Sequence, residues 1–266
     1  MNATEQGFVT YGPPVTLAGP PALVFIHGAG HAQDVWAPIA RGLAQRGYPV
    51  VLADLPGHGR LSGPGLQSIE EMADWLLGRL RDSEARAPVL IGHSMGALVA
   101  LEAASRADPP PRGLLLLGAA LPMPVSETLL DTLAKDPERA YGLINQWSYS
   151  VPSLLGCGAQ PGFDLANLNL RRMARCGSAT LAQDLAACNA YVGGEHAAGR
   201  IACPTLLLSG NRDQMTPPRG LPALAAALCQ VPRGARIISL PGPGHNLMAE
   251  APGEVLAAIC DFLSQQ

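Results

Sequence analysis

The stretch from Val89 to Ala100 constrains the fold more than any other, because a short apolar run ending at Ile91 passes through Gly92-His93-Ser94-Met95-Gly96 into an alanine-rich helical pattern. Two glycines flanking one serine allow a strand and a helix to approach within backbone contact, and they hold the serine in a strained turn between them. The hydroxyl is then lifted clear of the sheet, and the unpaired N–H groups of the helix N-terminus lie behind it.

The rest of the chain repeats the same alternation. Ala22 to Ile26, Pro49 to Ala53, Val89 to Ile91, Gly113 to Leu117, Thr205 to Ser209 and Arg236 to Leu240 are runs of strand length. Helical patterns separate them at Asp34 to Arg46, Ser68 to Arg86, Met95 to Ala107, Pro218 to Leu228 and Gly253 to Leu263. Strands apolar throughout and divided by helices are parallel strands covered on both faces, so we expect an α/β fold with a doubly wound, mostly parallel sheet. Val9 to Leu17 reads as one or two edge strands broken by Gly12-Pro13-Pro14, which makes the strand before Ser94 the fifth if there are two.

The alternation lapses from about Leu121 to Arg200. Helical patterns at Glu127 to Lys135, Pro137 to Trp147, Leu165 to Arg175 and Ala179 to Tyr191 follow one another there without a buried strand. We expect 1–120 and 201–266 to form the sheet domain and 121–200 to be an inserted helical cap.

Composition limits the function classes. With 266 residues, 48% of them hydrophobic, the chain can bury one large core. A net charge of -3 provides no basic footprint for nucleic acid. No apolar run reaches the roughly 18 residues of a membrane span. The N-terminal stretch has no basic residue before Arg41 and so lacks a signal-peptide layout, from which we expect a cytoplasmic protein. The six cysteines form no C-x-x-C pair and lie at no metal-ligand spacing from histidine. Buried free thiols are therefore expected, with no metal and no cofactor. Oligomeric state is left open.

Ligands of an open parallel sheet bind outside the carboxyl ends of its strands. The residues found there are His27-Gly28-Ala29-Gly30, Ser94, Gly210-Asn211-Arg212-Asp213 and Pro241 to His245. Serine, acid and histidine thus follow three strands in that chain order. Serine is a poor nucleophile at its own pKa, so Ser94 needs a base such as His245, and an acid such as Asp213 to fix the imidazole tautomer. Among the acids between them, Asp213 directly follows a core strand, while Asp108, Glu127, Asp131 and Asp136 do not.

His27-Gly28, Asp54-Leu-Pro-Gly-His-Gly59, the Ser94 turn, Gly210 to Asp213 and Gly244-His245 together resemble the α/β-hydrolase superfamily over nearly the whole length. The insertion resembles the caps of its esterases, lactonases and carbon-carbon hydrolases. Leu61 departs from the pattern, standing where the D-x-x-G-x-G-x-S loop usually has serine. The resemblance implies a Ser94-His245-Asp213 triad and an oxyanion hole of the Met95 and Ala29 backbone N–H groups. It also implies a small-molecule ester, thioester or lactone as substrate, with a carbon-carbon hydrolase or lyase, or a ligand receptor with an intact triad, as alternatives. A lyase of this fold would use a cap lysine, and Lys135 is the one lysine of the chain.

Trp36, Met123, Trp147, Tyr149, Leu247 and Met248 are expected to wall an apolar substrate pocket. His27 and His58 are expected to brace loops, His31 and His196 to occupy surface or cap positions, and His93 to point away from the pocket. Arg171, Arg172 and Arg175 either form a solvated helix face or meet an acidic substrate.

Overall fold

The computed structural model describes residues 7–16, 19–61, 63–83, 85, 87–157 and 164–265. Seven strands form one sheet: β1 (Phe8–Tyr11), β2 (Leu23–Ile26), β3 (Val50–Ala53), β4 (Val89–His93), β5 (Gly113–Leu117), β6 (Thr205–Gly210) and β7 (Arg236–Leu240). They lie in the order β1-β3-β2-β4-β5-β6-β7. β1 pairs antiparallel with β3, and every other pairing is parallel. The N-terminal segment supplies one strand, so Ser94 follows the fourth strand in the chain; Leu17 lies outside the described residues.

Side chains of a strand alternate between faces, and the runs buried throughout fill both. Val24, Ile26, Leu90, Leu114, Leu116 and Leu207 belong to one core cluster, and Leu23, Phe25, Ile91, Leu115, Leu206 and Leu208 to the other. The first face is covered by α2 (Ile69–Arg81) and α3 (Met95–Arg106), the second by α1 (Ala37–Ala44) and α12 (Pro252–Ser264). At about 1.5–3 kcal/mol per buried aliphatic side chain, this two-faced burial fixes the strand register to within one residue. α2 begins where Ser68 accepts a hydrogen bond from the Glu71 N–H (3.1 Å) and ends at Arg81, short of the expected Arg86, which lies outside the described residues.

Between β5 and β6 run α4 (Glu127–Lys135), α5 (Pro137–Ser148), α6 (Val151–Leu154), α7 (Leu165–Cys176), α8 (Ser178–Ala190) and α9 (Gly194–Ala198). Leu129, Leu133, Tyr141, Ile144, Met173, Leu181 and Leu185 give this insertion a core of its own. Its last part belongs to the sheet layer instead: Ala187, Cys188, Tyr191, Ala197 and Ala198 join the cluster over α3. α10 (Leu221–Ala227) and the short α11 (Leu247–Glu250) complete the chain. Among the described residues, no helix is long and apolar enough to cross a membrane.

Candidate active site

The turn at Ser94 is built by steric necessity. Ser94 has φ 54° and ψ -120°, a conformation that side chains rarely adopt. A Cβ on Gly96 would run into the carbonyls of Ile26 and His27, and one on Gly92 into the carbonyl of Gly96, so β2, β4 and α3 meet through two bare backbones. The Ser94 N–H donates to the Leu117 carbonyl (2.9 Å), which ties the turn to the end of β5. Met95 follows Ser94 at the start of α3 and Ala29 borders the same cavities as Ser94, and among the described residues neither N–H has an acceptor.

His245 arrives on the loop after β7. Its Nδ1 donates to Asp213 Oδ2 (2.8 Å). Asp213 stands in the turn after β6, where Oδ1 accepts from the N–H groups of Met215 and Thr216 (2.8 Å each) and Oδ2 accepts from Thr216 Oγ1 (2.7 Å). Burial pushes the Asp213 carboxyl up, but the adjacent His245 and these donors outweigh it and hold it below the usual range. The carboxylate is thus fixed as an acceptor for the imidazole. Gly118, at φ 55°, clears room for that imidazole: a Cβ there would stand 3.0 Å from His245 Cε1.

Glu250 holds the histidine loop, a role its sequence position does not announce. The buried carboxylate accepts from the Gly244 N–H (2.8 Å), Ser150 Oγ (2.5 Å) and Ser153 Oγ (2.7 Å), while the His245 N–H donates to the Ser148 carbonyl (2.8 Å). The loop carrying His245 is therefore bound to the α5–α6 junction of the insertion.

Asp184 of α8 makes a second such bond, again with no warning from sequence spacing. Its Oδ2 accepts from the Gly30 N–H (2.8 Å) and from His58 Nε2 (2.9 Å), both buried. Asp54, also buried, accepts from the Gln33 and Arg60 N–H groups (2.8 and 3.1 Å). His27 donates from Nδ1 to the Gly28 carbonyl (2.9 Å) and accepts at Nε2 from the Leu55 N–H (3.2 Å). His27 and His58 brace loops as expected.

Two cavities meet at Ser94. The larger, about 390 Å³, is walled by Met123, Val125, Leu129, Trp147, Leu185 and Met215, and reaches Ala29 and Thr216. The smaller, about 40 Å³, is lined by His31, His93, Ser148, Asn169, His245 and Asn246. Ala29, Ser94, Leu185 and Met215 border both.

Several expectations need correction. Trp36, Tyr149, Leu247 and Met248 line neither cavity: Trp36 is wholly buried with its ring 5.0 Å from Phe25, Leu247 and Met248 pack into the same cluster, and Tyr149 is 2% exposed. Trp36, Leu247 and Met248 flank the site in sequence, but their side chains turn inward to the core. His31 is buried against Ser94's small cavity instead of lying on the surface, while His196 is exposed. His93 packs its ring 4.7 Å from His245, donates from Nε2 to the His245 carbonyl (2.9 Å), and reaches the small cavity it was expected to avoid.

Arg172 and Arg175 pair with Asp34 (3.0 and 3.4 Å) and line neither cavity at Ser94; Arg171 and Lys135 open onto a separate groove. Among the cysteines only Cys188 and Cys203 are buried, and all six are free.

Known proteins resemble this chain in sequence and in fold. A pimeloyl-[acyl-carrier protein] methyl ester esterase of Xylella fastidiosa is 26% identical over 254 residues, covering 92% of this chain and 95% of that protein. A biotin biosynthesis bifunctional protein BioHC of Cellvibrio japonicus is 31% identical over 121 residues, so the match spans 46% of this chain but 23% of that longer protein. The crystal structure of the enol-lactonase from Burkholderia xenovorans superposes with a TM-score of 0.82 at 20% identity, covering 97% of this chain and 95% of that one, which is a likeness of fold. The pattern defining the Alpha/beta hydrolase family matches residues 23–259; the chain belongs to that family.

Proposed function

We propose that this chain is a cofactor-independent serine hydrolase that cleaves a carboxylic ester, thioester or lactone through an acyl-enzyme. The observation that carries the reading is the convergence on one cavity of Ser94, on its strained turn, and His245, whose Nδ1 is committed to Asp213. With Nδ1 committed, Nε2 is the free base. It takes the Ser94 proton as Oγ attacks the carbonyl, and returns it to the leaving oxygen as that bond breaks. The Met95 and Ala29 N–H groups receive the tetrahedral oxyanion. Water then repeats the sequence in reverse and frees the acid. The Xylella relative, a methyl ester esterase by name, supports this class of reaction. Lys135 faces another groove, so a lyase mechanism has no cap lysine in the cavity. Helices α4 to α8 act as the lid, with Met123, Leu129 and Trp147 facing the acyl chain.

The test is to treat the protein with a fluorophosphonate and map the adduct by mass spectrometry. Ser94 should carry it, and Ser94→Ala and Asp213→Asn should each lose on the order of 10³-fold or more in kcat while remaining folded. Labelling of another residue, or near wild-type turnover in either variant, overturns the assignment.

A further inference from the structure

We infer that the small cavity beside Ser94 is the subsite for the hydroxylic partner of the reaction, the leaving alcohol and then the water that replaces it, with Nδ1 of His31 accepting the water's second O–H.

The polarity of His31 follows from a relay that starts at a carbonyl. Asn145 Nδ2 donates to the Ala166 carbonyl (2.8 Å), so Asn145 presents Oδ1 to Asn169. Asn169 Nδ2 donates to that oxygen (2.8 Å) and so presents its own Oδ1 to His31 Nε2 (2.7 Å). An amide oxygen accepts and does not donate, hence Nε2 carries the proton and Nδ1 is a bare lone pair. That Nδ1 is buried and has no partner among the described residues. The same holds for Nδ1 of His93, because His93 Nε2 donates to the His245 carbonyl. The two residues that carry these acceptors, His31 and His93, both line a chamber of about 40 Å³. A buried acceptor left unmatched is costly, and a chamber needs only about 10–15 Å³ to hold a water with polar partners. The ligand that suits this lining is one that donates hydrogen bonds.

The position of His245 says which hydroxylic species it is. His245 lines the small chamber and not the large one. The leaving oxygen receives a proton from His245 Nε2 and the attacking water surrenders one to it, so by microscopic reversibility both oxygens occupy the same place, on the His245 side of the acyl carbon. In acylation the Oγ–C bond forms, the C–O bond to the alcohol breaks, and the Ser94 proton leaves on the alcohol. In deacylation one water proton passes to Nε2 as the new C–O bond forms and then returns to Oγ as the Oγ–C bond breaks. The other water proton points at an acceptor, and His31 supplies it. An ester's alkoxy oxygen has no such proton, so His31 serves deacylation more than acylation. The acyl chain is left to the large apolar chamber, and the alcohol is limited to one or two carbons.

This rests on the serine-hydrolase reading, and the experiment separates the two. Ser94 is carbamoylated with a methyl carbamate, giving an acyl-enzyme that water attacks slowly, and the return of activity is timed. Gln at position 31 reproduces the Nε2 donor without the lone pair, and Asn reproduces the lone pair without the donor. We expect His31→Gln to slow reactivation about tenfold, the loss of one neutral hydrogen bond, and His31→Asn to stay within about threefold of wild type. A merely structural histidine predicts the opposite order. Reactivation of His31→Gln at the wild-type rate, slowing of His31→Asn alone, or equal slowing of both overturns the proposal. A second arm compares methyl, ethyl and butyl esters of one acid: kcat/KM should fall about tenfold or more between ethyl and butyl, and an unchanged value places the alcohol elsewhere. Failure of the carbamate to modify Ser94 in the wild type would refute the hydrolase reading itself, and the water site with it.

Discussion

The bond between Asp184 and His58 predicts a specific dependence of stability on pH. His58 Nδ1 faces the Pro56 carbonyl (3.1 Å) and Nε2 faces the Asp184 carboxylate (2.9 Å), two groups that only accept. Both ring nitrogens therefore carry protons, and His58 is an imidazolium. Burial alone would push it down, but the hydrogen bond and charge of Asp184, aided by Cys176, hold it up at about 10 against an ordinary 6.5. A histidine raised in the fold contributes stability fully below its unfolded value and loses it as pH rises through the folded one. At about 1.36 kcal/mol per pH unit, the fold loses about 2 kcal/mol between pH 6.5 and about 8, and up to about 5 kcal/mol by pH 10. The lower half of that window is clean: His27, His31 and His93 are lowered and titrate below it, while the buried thiols Cys188 and Cys203 are raised and titrate above it.

Asp184→Asn removes the charge yet keeps both contacts, with the amide oxygen in the place of Oδ2 accepting from the Gly30 N–H and from the Nε2–H of a neutral His58. Urea unfolding at half-unit pH steps should show the decline in the wild type and a flat line in Asp184→Asn. Asp184→Ala leaves the Gly30 N–H and the His58 ring unmatched and should cost about 3–5 kcal/mol. Because Gly30 adjoins Ala29, it should also lower kcat, by as much as about 100-fold if the loop moves an ångström, while Asp184→Asn keeps wild-type turnover. A wild type equally stable at pH 6.5 and 8, or an Asp184→Asn variant with the same slope, would refute the imidazolium and the argument built on it.

On the acid side, burial pushes His31 down to about 4 and His27 and His93 well below their ordinary value, so the unfolded chain binds protons that the fold refuses. Stability should fall as pH drops from 6.5 towards 4, by about 3 kcal/mol from His31 alone; circular dichroism showing no loss above pH 4 contradicts this. Trp147→Ala enlarges the 390 Å³ cavity and should shift the preferred acyl chain towards longer esters, whereas Tyr149→Phe, behind the wall, should leave the ranking of substrates unchanged. A substrate screen in which Tyr149→Phe moves the ranking and Trp147→Ala does not would invert the assigned wall.

The parts of this molecule legible in the sequence are those that a local pattern encodes. Strands buried on both faces must be apolar at every position, and Gly92 and Gly96 are required by a backbone contact within four residues of one another, so the sheet and the Ser94 turn announce themselves. Asp213 and His245 are legible because strand ends converge on one edge of a parallel sheet. What a position beside a strand end does not reveal is which way its side chain turns. Trp36, Leu247 and Met248 adjoin site residues in sequence yet pack under the sheet, while His31, one step beyond Gly30, turns into the cavity.

The bonds between the insertion and the sheet domain, Asp184 to Gly30 and Glu250 to Ser150, join residues 154 and 100 positions apart, a separation at which spacing carries no signal. A weaker signal was nonetheless present. Leu181, Asp184, Leu185 and Cys188 lie at i, i+3, i+4 and i+7 on α8, a stripe buried throughout. A carboxylate on such a stripe costs several kcal/mol unless it is paired and hydrogen-bonded. Asp184 at that place therefore required donors from whatever the stripe covers, and it found the Gly30 N–H, in the loop that carries Ala29, and His58 Nε2. The position of α8 and that of the loop are for this reason coupled: the bond that satisfies Asp184 fixes the Gly30 N–H, next in the chain to Ala29, which borders both cavities at Ser94.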